Sequence, residues 1–283
     1  MRANWVVAIG AVVAAAGVLT ACGPSRNAGA VAAPPAQRIT VVGSSTIAPL
    51  MSEMAKRFEQ ANPGIRVDVQ AGGSARGLLE VRQGTAQVGM VSRALKADEA
   101  DVSKLLVARD GVGIIVHRVN PIKEISRAQI VDIFSGKLTN WQQLGGADVP
   151  ITVVSKAEGR STLESFSSYF GLAYRDIRAQ VVIGDNQQGV QTVAGAAGAI
   201  GYVSIGSAEF EARNGAAIKL LPFDGHTPST AQVAAGTYPI TRELNLVFKA
   251  PATPAVRALL DLAASPKSAD LVVGQFMVPP AAP

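Results

Sequence analysis

An α/β fold, with helices layered on mostly parallel sheet, is what this sequence predicts, and three observations carry the prediction. Short β-rich runs alternate with segments whose apolar residues recur at helical spacing. Glycine- and hydroxyl-rich turns stand where the runs give way to helices. The composition, 48% hydrophobic and 17% charged over 283 residues, is that of a chain with a core, not a disordered or collagen-like one. The length suits one large or two small domains. No internal repeat of fixed period occurs.

The front end is an address. Residues 1–21 carry Arg2, an apolar run from Trp5 to Leu19, then small residues. That order describes a secretory signal peptide, and the run is shorter than the ~20 residues a bilayer span needs. Leu19-Thr20-Ala21-Cys22 resembles the lipobox of bacterial lipoproteins. The likeness implies cleavage before Cys22, acylation of its sulfur, and attachment to the membrane through lipid. Residues 22–37 are rich in small residues and Pro without apolar periodicity, as expected of a flexible tether.

The body then alternates. Residues 39–42 read as a strand, and Leu50, Met51, Met54, Ala55 and Phe58 lie on one helical face, stopped by Asn62-Pro63-Gly64. A strand is expected at 65–69, a short helix at 75–83, a strand at 88–91, a polar helix at 97–104 and a strand at 113–117. Ser126 and Gln129 form a capping-box pattern opening a helix to Phe134. Further strands are expected at 151–155, 181–183, 199–203 and 244–249, with helices over 163–170, from 189, at 254–264 and at 268–276.

Composition excludes several function classes. One Cys and two His provide neither a disulfide framework nor a zinc cluster, so no metal or cofactor is expected. A formal charge of +5 without three consecutive basic residues argues against nucleic acid as a partner. The chain has no G-x-S-x-G elbow, no S-x-x-K dyad and no Walker-type loop. Catalytic residues are therefore not assigned.

The strand-to-helix junctions are the informative places. They carry Gly43-Ser44-Ser45-Thr46-Ile47, Gly72-Gly73-Ser74-Ala75-Arg76-Gly77, Ser92-Arg93 and Lys156-Ala157-Glu158-Gly159-Arg160-Ser161-Thr162. In α/β sheets such junctions lie at the carboxyl ends of strands, where ligands bind. Each opens a helix whose first N–H groups lack partners and carry partial positive charge. Hydroxyls and glycines let backbone approach an anion, and Arg93, Lys156 and Arg160 add charge. Ser161 and Glu164 fit a second capping box. Each junction alone is also ordinary turn and N-cap chemistry; together they point to a small, multiply charged anion.

These stretches, continued by Asn120-Pro121, Ile133-Phe134-Ser135-Gly136, Asn140-Trp141, Leu144-Gly145-Gly146, Ala199-Ile200-Gly201-Tyr202 and Gly274-Gln275-Phe276-Met277-Val278-Pro279, resemble the substrate-binding lipoproteins of bacterial ABC-type phosphate transporters. The resemblance implies a two-lobed periplasmic-binding fold of type II, each lobe a mixed, mostly parallel sheet flanked by helices. It puts lobe 1 at 38–116 plus 241–283, with 117–240 inserted as lobe 2. It implies phosphate in the interlobe cleft, held by Ser45, Thr46, the Ile47 backbone, Ser74, Ser92 and Arg93 from one lobe. Lys156, Arg160, Ser161 and Thr162 would close from the other. It also implies an ABC permease as partner and a place on the outer or periplasmic side of the cell membrane. A monomer is expected, as no apolar seam or heptad appears.

Some relatives carry Asp where Arg93 stands; there it accepts the proton of hydrogen phosphate and rejects sulfate. This chain leaves Glu158 or Asp185 for that task, or else a weaker selectivity. Receptors for sulfate, molybdate or tungstate, and a phosphate-sensing lipoprotein, are the alternatives kept open. An envelope phosphatase ranks behind them.

Overall fold

The computed structural model of the chain describes residues 37–280; the signal-peptide and lipidation readings at 1–22 lie outside them. The first stretch runs β1 (Gln37–Gly43), α1 (Ala48–Ala61), β2 (Ile65–Ala71), α2 (Ser74–Gln83), β3 (Val88–Val91) and β4 (Ser103–His117). Then come α3 (Arg127–Phe134), β5 (Thr152–Lys156), α4 (Ser161–Phe170), β6 (Val181–Ile183), α5 (Asn186–Ala194), β7 (Ala199–Ser204), α6 (Ile205–Arg213), β8 (Ile218–Leu220) and α7 (Thr230–Ala234). The chain closes with β9 (Thr241–Phe248), α8 (Pro254–Ala264) and α9 (Ala269–Gly274). Gln37, expected in the tether, is the first residue of β1.

The strand order is β2-β1-β3-β9-β4-β7-β5-β6, with β8 also on β4. The outer pairs, β1 with β2 and β3, and β5 with β6 and β7, are parallel; β9 and β4 pair antiparallel with their neighbours. Parallel strands are buried on both faces, and β1 shows it. Ile39 and Val41 enter one core with Leu50, Met54, Leu246 and Leu259, while Val42 enters another with Leu78, Val91 and Val247. Beyond the middle of β4 a separate pair of cores takes over. One gathers Phe134, Trp141, Phe166, Tyr202 and Phe223, the other Ile115, Val154, Val190 and Val203.

β4 links the two regions. Its residues to Gly111 pair with β9, and from Val112 they pair with β7. Sequence patterning caught only its second half. The polar Arg109-Asp110-Gly111 and a bulge between Leu106 and Ala108 break the alternation of the first half. The helix expected at 97–104 is a 3-10 turn, Ala97–Glu99, and β4 begins at Ser103. Pairing of Ser103 to Leu106 with β9 prevails over local helical preference. α5 begins at Asn186, not Gly189, because the Asp185 carboxylate accepts the Gln188 N–H and caps it there. The helix expected at 268–276 is a 3-10 turn, Pro266–Ser268, and the short α9.

Candidate functional site

The junctions converge on a buried arginine. Arg242 on β9 stands directly opposite Asp110 on β4 in the antiparallel register. The Arg242 guanidinium donates to one oxygen of that carboxylate from Nη2 at 2.8 Å and from Nε at 3.1 Å. Its remaining hydrogens fan out to hydroxyls from three separate junctions. Nη2 donates to Thr46 Oγ1 at 2.9 Å, and Nη1 to Thr162 Oγ1 at 2.9 Å and Ser92 Oγ at 3.5 Å. Ser74 joins from the second junction: the Ser92 N–H donates to Ser74 Oγ at 3.1 Å. From the segment between β4 and β9, Asn186 Nδ2 donates to Thr46 Oγ1 at 3.0 Å, and Asn186 Oδ1 accepts from Lys156 Nζ at 3.1 Å.

The backbone holds these groups close. The Gly43 carbonyl accepts N–H groups from both Gly72 and Gly73, at 2.7 and 2.8 Å, which ties the first junction to the second. Gly43 has φ +142, and a Cβ there would stand 2.3 Å from the Met90 carbonyl oxygen, so the approach requires glycine. The Ala75 N–H, in the first turn of α2, donates to the Gly159 carbonyl at 3.2 Å, bringing the fourth junction over the second. α1, α2, α4 and α5 thus all begin at or next to residues of the cluster, and a helix start carries partial positive charge.

Electrostatics favour an anion. Asp110 offsets Arg242, and Lys156, only 1% exposed, is then a cation without a carboxylate partner among the described residues. Burial pushes the Lys156 ammonium down to about 7; Arg242 and Arg160 push the same way and Asp185 opposes them. The Ser161 hydroxyl, on the first residue of α4, is buried with no hydrogen-bond partner. Such an orphan costs about 1–3 kcal/mol unless something accepts or donates there. A cavity of about 700 Å³, lined by Arg109, Tyr169, Thr241 and Glu243 among others, borders the cluster at Arg242.

Of the residues expected in the site, Thr46, Ser74, Ser92, Lys156, Ser161 and Thr162 are buried at or beside the cluster. Ser45 is half-buried on the adjoining turn, and the Ile47 N–H is taken by the Ser44 carbonyl at 3.2 Å. Arg160 packs over Gly73 and Gly184 at the edge. Arg93 lines the same cavity as Arg242, with its charge taken up by two carboxylates. Its guanidinium donates to both oxygens of Glu99 at 2.6 and 2.7 Å, and Nε lies 2.8 Å from Glu164. The expected capping box at Ser161 is not formed: Arg160 holds the N-cap position and Glu164 is spent on Arg93 and Lys96. Nor do Glu158 and Asp185 reach the cluster as acceptors, since Glu158 is exposed and Asp185 caps α5.

Arg242, Asp110 and Asn186 escaped sequence reasoning. Arg242 and Asp110 sit within strands, away from any strand-to-helix junction. Each lies in a polar stretch of its strand, Arg109-Asp110-Gly111 and Thr241-Arg242-Glu243, and a charge buried there demands a partner that local sequence does not name. Asn186, just inside α5, lies in a Gly184-Asp185-Asn186 turn of the same polar kind as the other junctions.

Known proteins resemble this chain in sequence and in fold. A family model described as a PBP superfamily domain matches residues 28–267. The phosphate-binding protein PstS of Bacillus subtilis (strain 168) is 31% identical over 227 residues, spanning 79% of this chain and 74% of its own. That of Pseudomonas aeruginosa PAO1 is 29% identical over 245 residues, spanning 76% and 74%. Among solved structures, a phosphate ABC transporter substrate-binding protein of Clostridium perfringens, with bound phosphate, superposes with a TM-score of 0.79 at 28% identity. It covers 86% of this chain and 99% of that one. An ABC-type phosphate transport receptor of Vibrio cholerae gives 0.69 at 29%, over 86% and 100%. The two-lobed periplasmic-binding fold is therefore the fold of this protein, and its relatives are binding proteins rather than enzymes. The chain belongs to the PBP superfamily and, within it, to the phosphate-binding proteins of bacterial ABC transporters.

Proposed function

We propose that the protein is an extracytoplasmic receptor for inorganic phosphate that hands its ligand to an ABC permease while tethered to the membrane by an acylated Cys22. One observation carries the reading: Arg242 joins hydroxyls from three junctions in a single buried cluster. A dianion entering there replaces hydrogen bonds that the cluster makes with itself. Thr46, Ser74, Ser92, Ser161 and Thr162 donate hydroxyls, Arg242 and Lys156 donate charged N–H groups, and the helix starts add amides. Ser45 and Arg160 line the rim.

The lobes divide at 38–116 plus 241–283 and 117–240, and the crossings in β4 and before β9 serve as hinges. Placing Arg242 and Asp110 beside those crossings puts the ligand where closure of one lobe on the other would bury it. The receptor acts as a monomer.

Isothermal titration of the purified protein with phosphate tests the reading, with one saturable site expected. Absence of heat with phosphate, sulfate, molybdate and tungstate alike overturns it.

A further inference from the structure

Arg93 and Glu164 meet from two separate junctions of the site. Arg93 follows Ser92 after the end of β3, and Glu164 lies with Ser161 and Thr162 in the first turn of α4. Each half of the pair therefore neighbours a hydroxyl of the cluster. Arg242 Nη1 donates to both of those hydroxyls, Thr162 Oγ1 at 2.9 Å and Ser92 Oγ at 3.5 Å. The ion pair and the cluster thus bring the same two elements together.

The two partners are not equally free. Both Arg93 Nη atoms donate to Glu99, at 2.6 and 2.7 Å, and the Arg93 carbonyl accepts from Asn245 Nδ2 at 2.9 Å. Glu99 also accepts the Lys96 N–H at 2.8 Å. The guanidinium is thus held in place by β9 and its own stretch of chain, without help from α4. The Glu164 carboxylate lies 2.8 Å from Arg93 Nε and 3.7 Å from Lys96 Nζ, and it has no other ion pair among the described residues. With side chains 12% and 32% exposed, Arg93 and Glu164 are partly withdrawn from water and are screened less than a surface pair.

We infer that Glu164 is a positioning residue for the bound anion: its pairing with Arg93 and Lys96 holds the start of α4, with Ser161 and Thr162, over the ligand and slows the ligand's escape. The inference rests on the oxyanion-receptor reading and on the lobe division proposed with it. When the lobes part, Glu164 leaves with α4 and is solvated, while Arg93 keeps Glu99. The pair exists in the closed form alone and adds its free energy to that form. Because Arg93 is already fixed, little side-chain freedom is lost as the pair forms.

A carboxylate at the rim of an anion site, acting through its charge alone, has the opposite effect. It repels an arriving dianion, so removing it speeds capture and leaves release as it was. Retention through the ion pair gives the other sign: removing the carboxylate speeds release and leaves capture no slower.

The test follows release of radiolabelled phosphate from the purified protein, chased with excess unlabelled phosphate, beside equilibrium dialysis for Kd; release rate divided by Kd gives the rate of capture. Glu164→Gln should release phosphate about tenfold faster, with capture unchanged or faster. Glu164→Asp, which keeps the charge, should fall between it and wild type. Lys96→Gln, a change at an exposed side chain, should speed wild-type release and add nothing in the Glu164→Gln protein. Release unchanged or slower in Glu164→Gln, or an equal effect of Lys96→Gln in both backgrounds, overturns the inference and leaves the receptor reading intact. Failure of the wild-type protein to bind phosphate overturns the receptor reading itself.

Discussion

Arg242 and Asp110 are cross-strand partners, directly opposite on β9 and β4, and both side chains are almost wholly buried. A buried pair is costly to desolvate, and removing one partner costs more than removing both. Asp110→Ala should destabilise the protein by about 3–5 kcal/mol in urea melts, and the double variant Asp110→Leu/Arg242→Met should recover most of that loss. Phosphate binding separates the two roles. Arg242→Met is expected to weaken it at least about a hundredfold, since a charge-assisted donor to the anion is lost, and the stabilised double variant should not regain it.

Thr46 Oγ1 accepts from both Arg242 and Asn186, at 2.9 and 3.0 Å. A carboxylate at this position would take the anion's place between those two donors. Thr46→Asp should therefore lose phosphate binding altogether while melting at or above the wild-type temperature. Thr46→Ser, which keeps the hydroxyl, should bind within about tenfold of wild type. An unstable Thr46→Asp protein would show instead that position 46 cannot hold a charge.

How far the sequence could be read follows from where each signal lies. Helical periodicity placed α1 and α8, because a one-sided apolar face such as Leu50, Met51, Met54 and Phe58 is local information. The hydroxyl-rich junctions marked Thr46, Ser74, Ser92 and Thr162 for the same reason. What stayed hidden depends on tertiary partners. The first half of β4 becomes a strand only against β9. Arg93 reads on its own junction as an anion ligand, and only the fold shows that Glu99, six residues on, and Glu164, far along the chain, pair with it. Arg242 finds its role only through Asp110, 132 residues away in sequence. No spacing rule along the chain could have paired them.

Gly43 is the position where backbone conformation and close approach coincide. With φ +142 and no room for a side chain beside Met90, Gly43→Ala must shift β3 or the following turn. A loss of about 2–4 kcal/mol in urea unfolding is expected. Because Gly72 and Gly73 both donate to the Gly43 carbonyl, phosphate affinity should fall along with stability. Substitution at Gly84, which has a positive φ but open space around it and lies away from the cluster, should cost stability and leave affinity alone.

Glu99 offers a prediction in pH. The Arg93 guanidinium, bonded to both of its oxygens, holds the Glu99 carboxylate below its ordinary range, overriding the upward push of burial; the Lys96 N–H adds to the effect. A group whose folded value is depressed contributes stability that is present above its unfolded value, 4.5, and is lost as pH falls through the folded one. Wild-type stability should therefore decline from about pH 5 downward. Glu99→Gln should flatten part of that acid slope, at the cost of lower stability near neutrality, because Arg93 then keeps only Glu164. Melting curves of the two proteins between about pH 3 and about pH 7 measure it: convergence toward acid is the expected pattern, and parallel curves would mean the Arg93–Glu99 pair contributes nothing to folding.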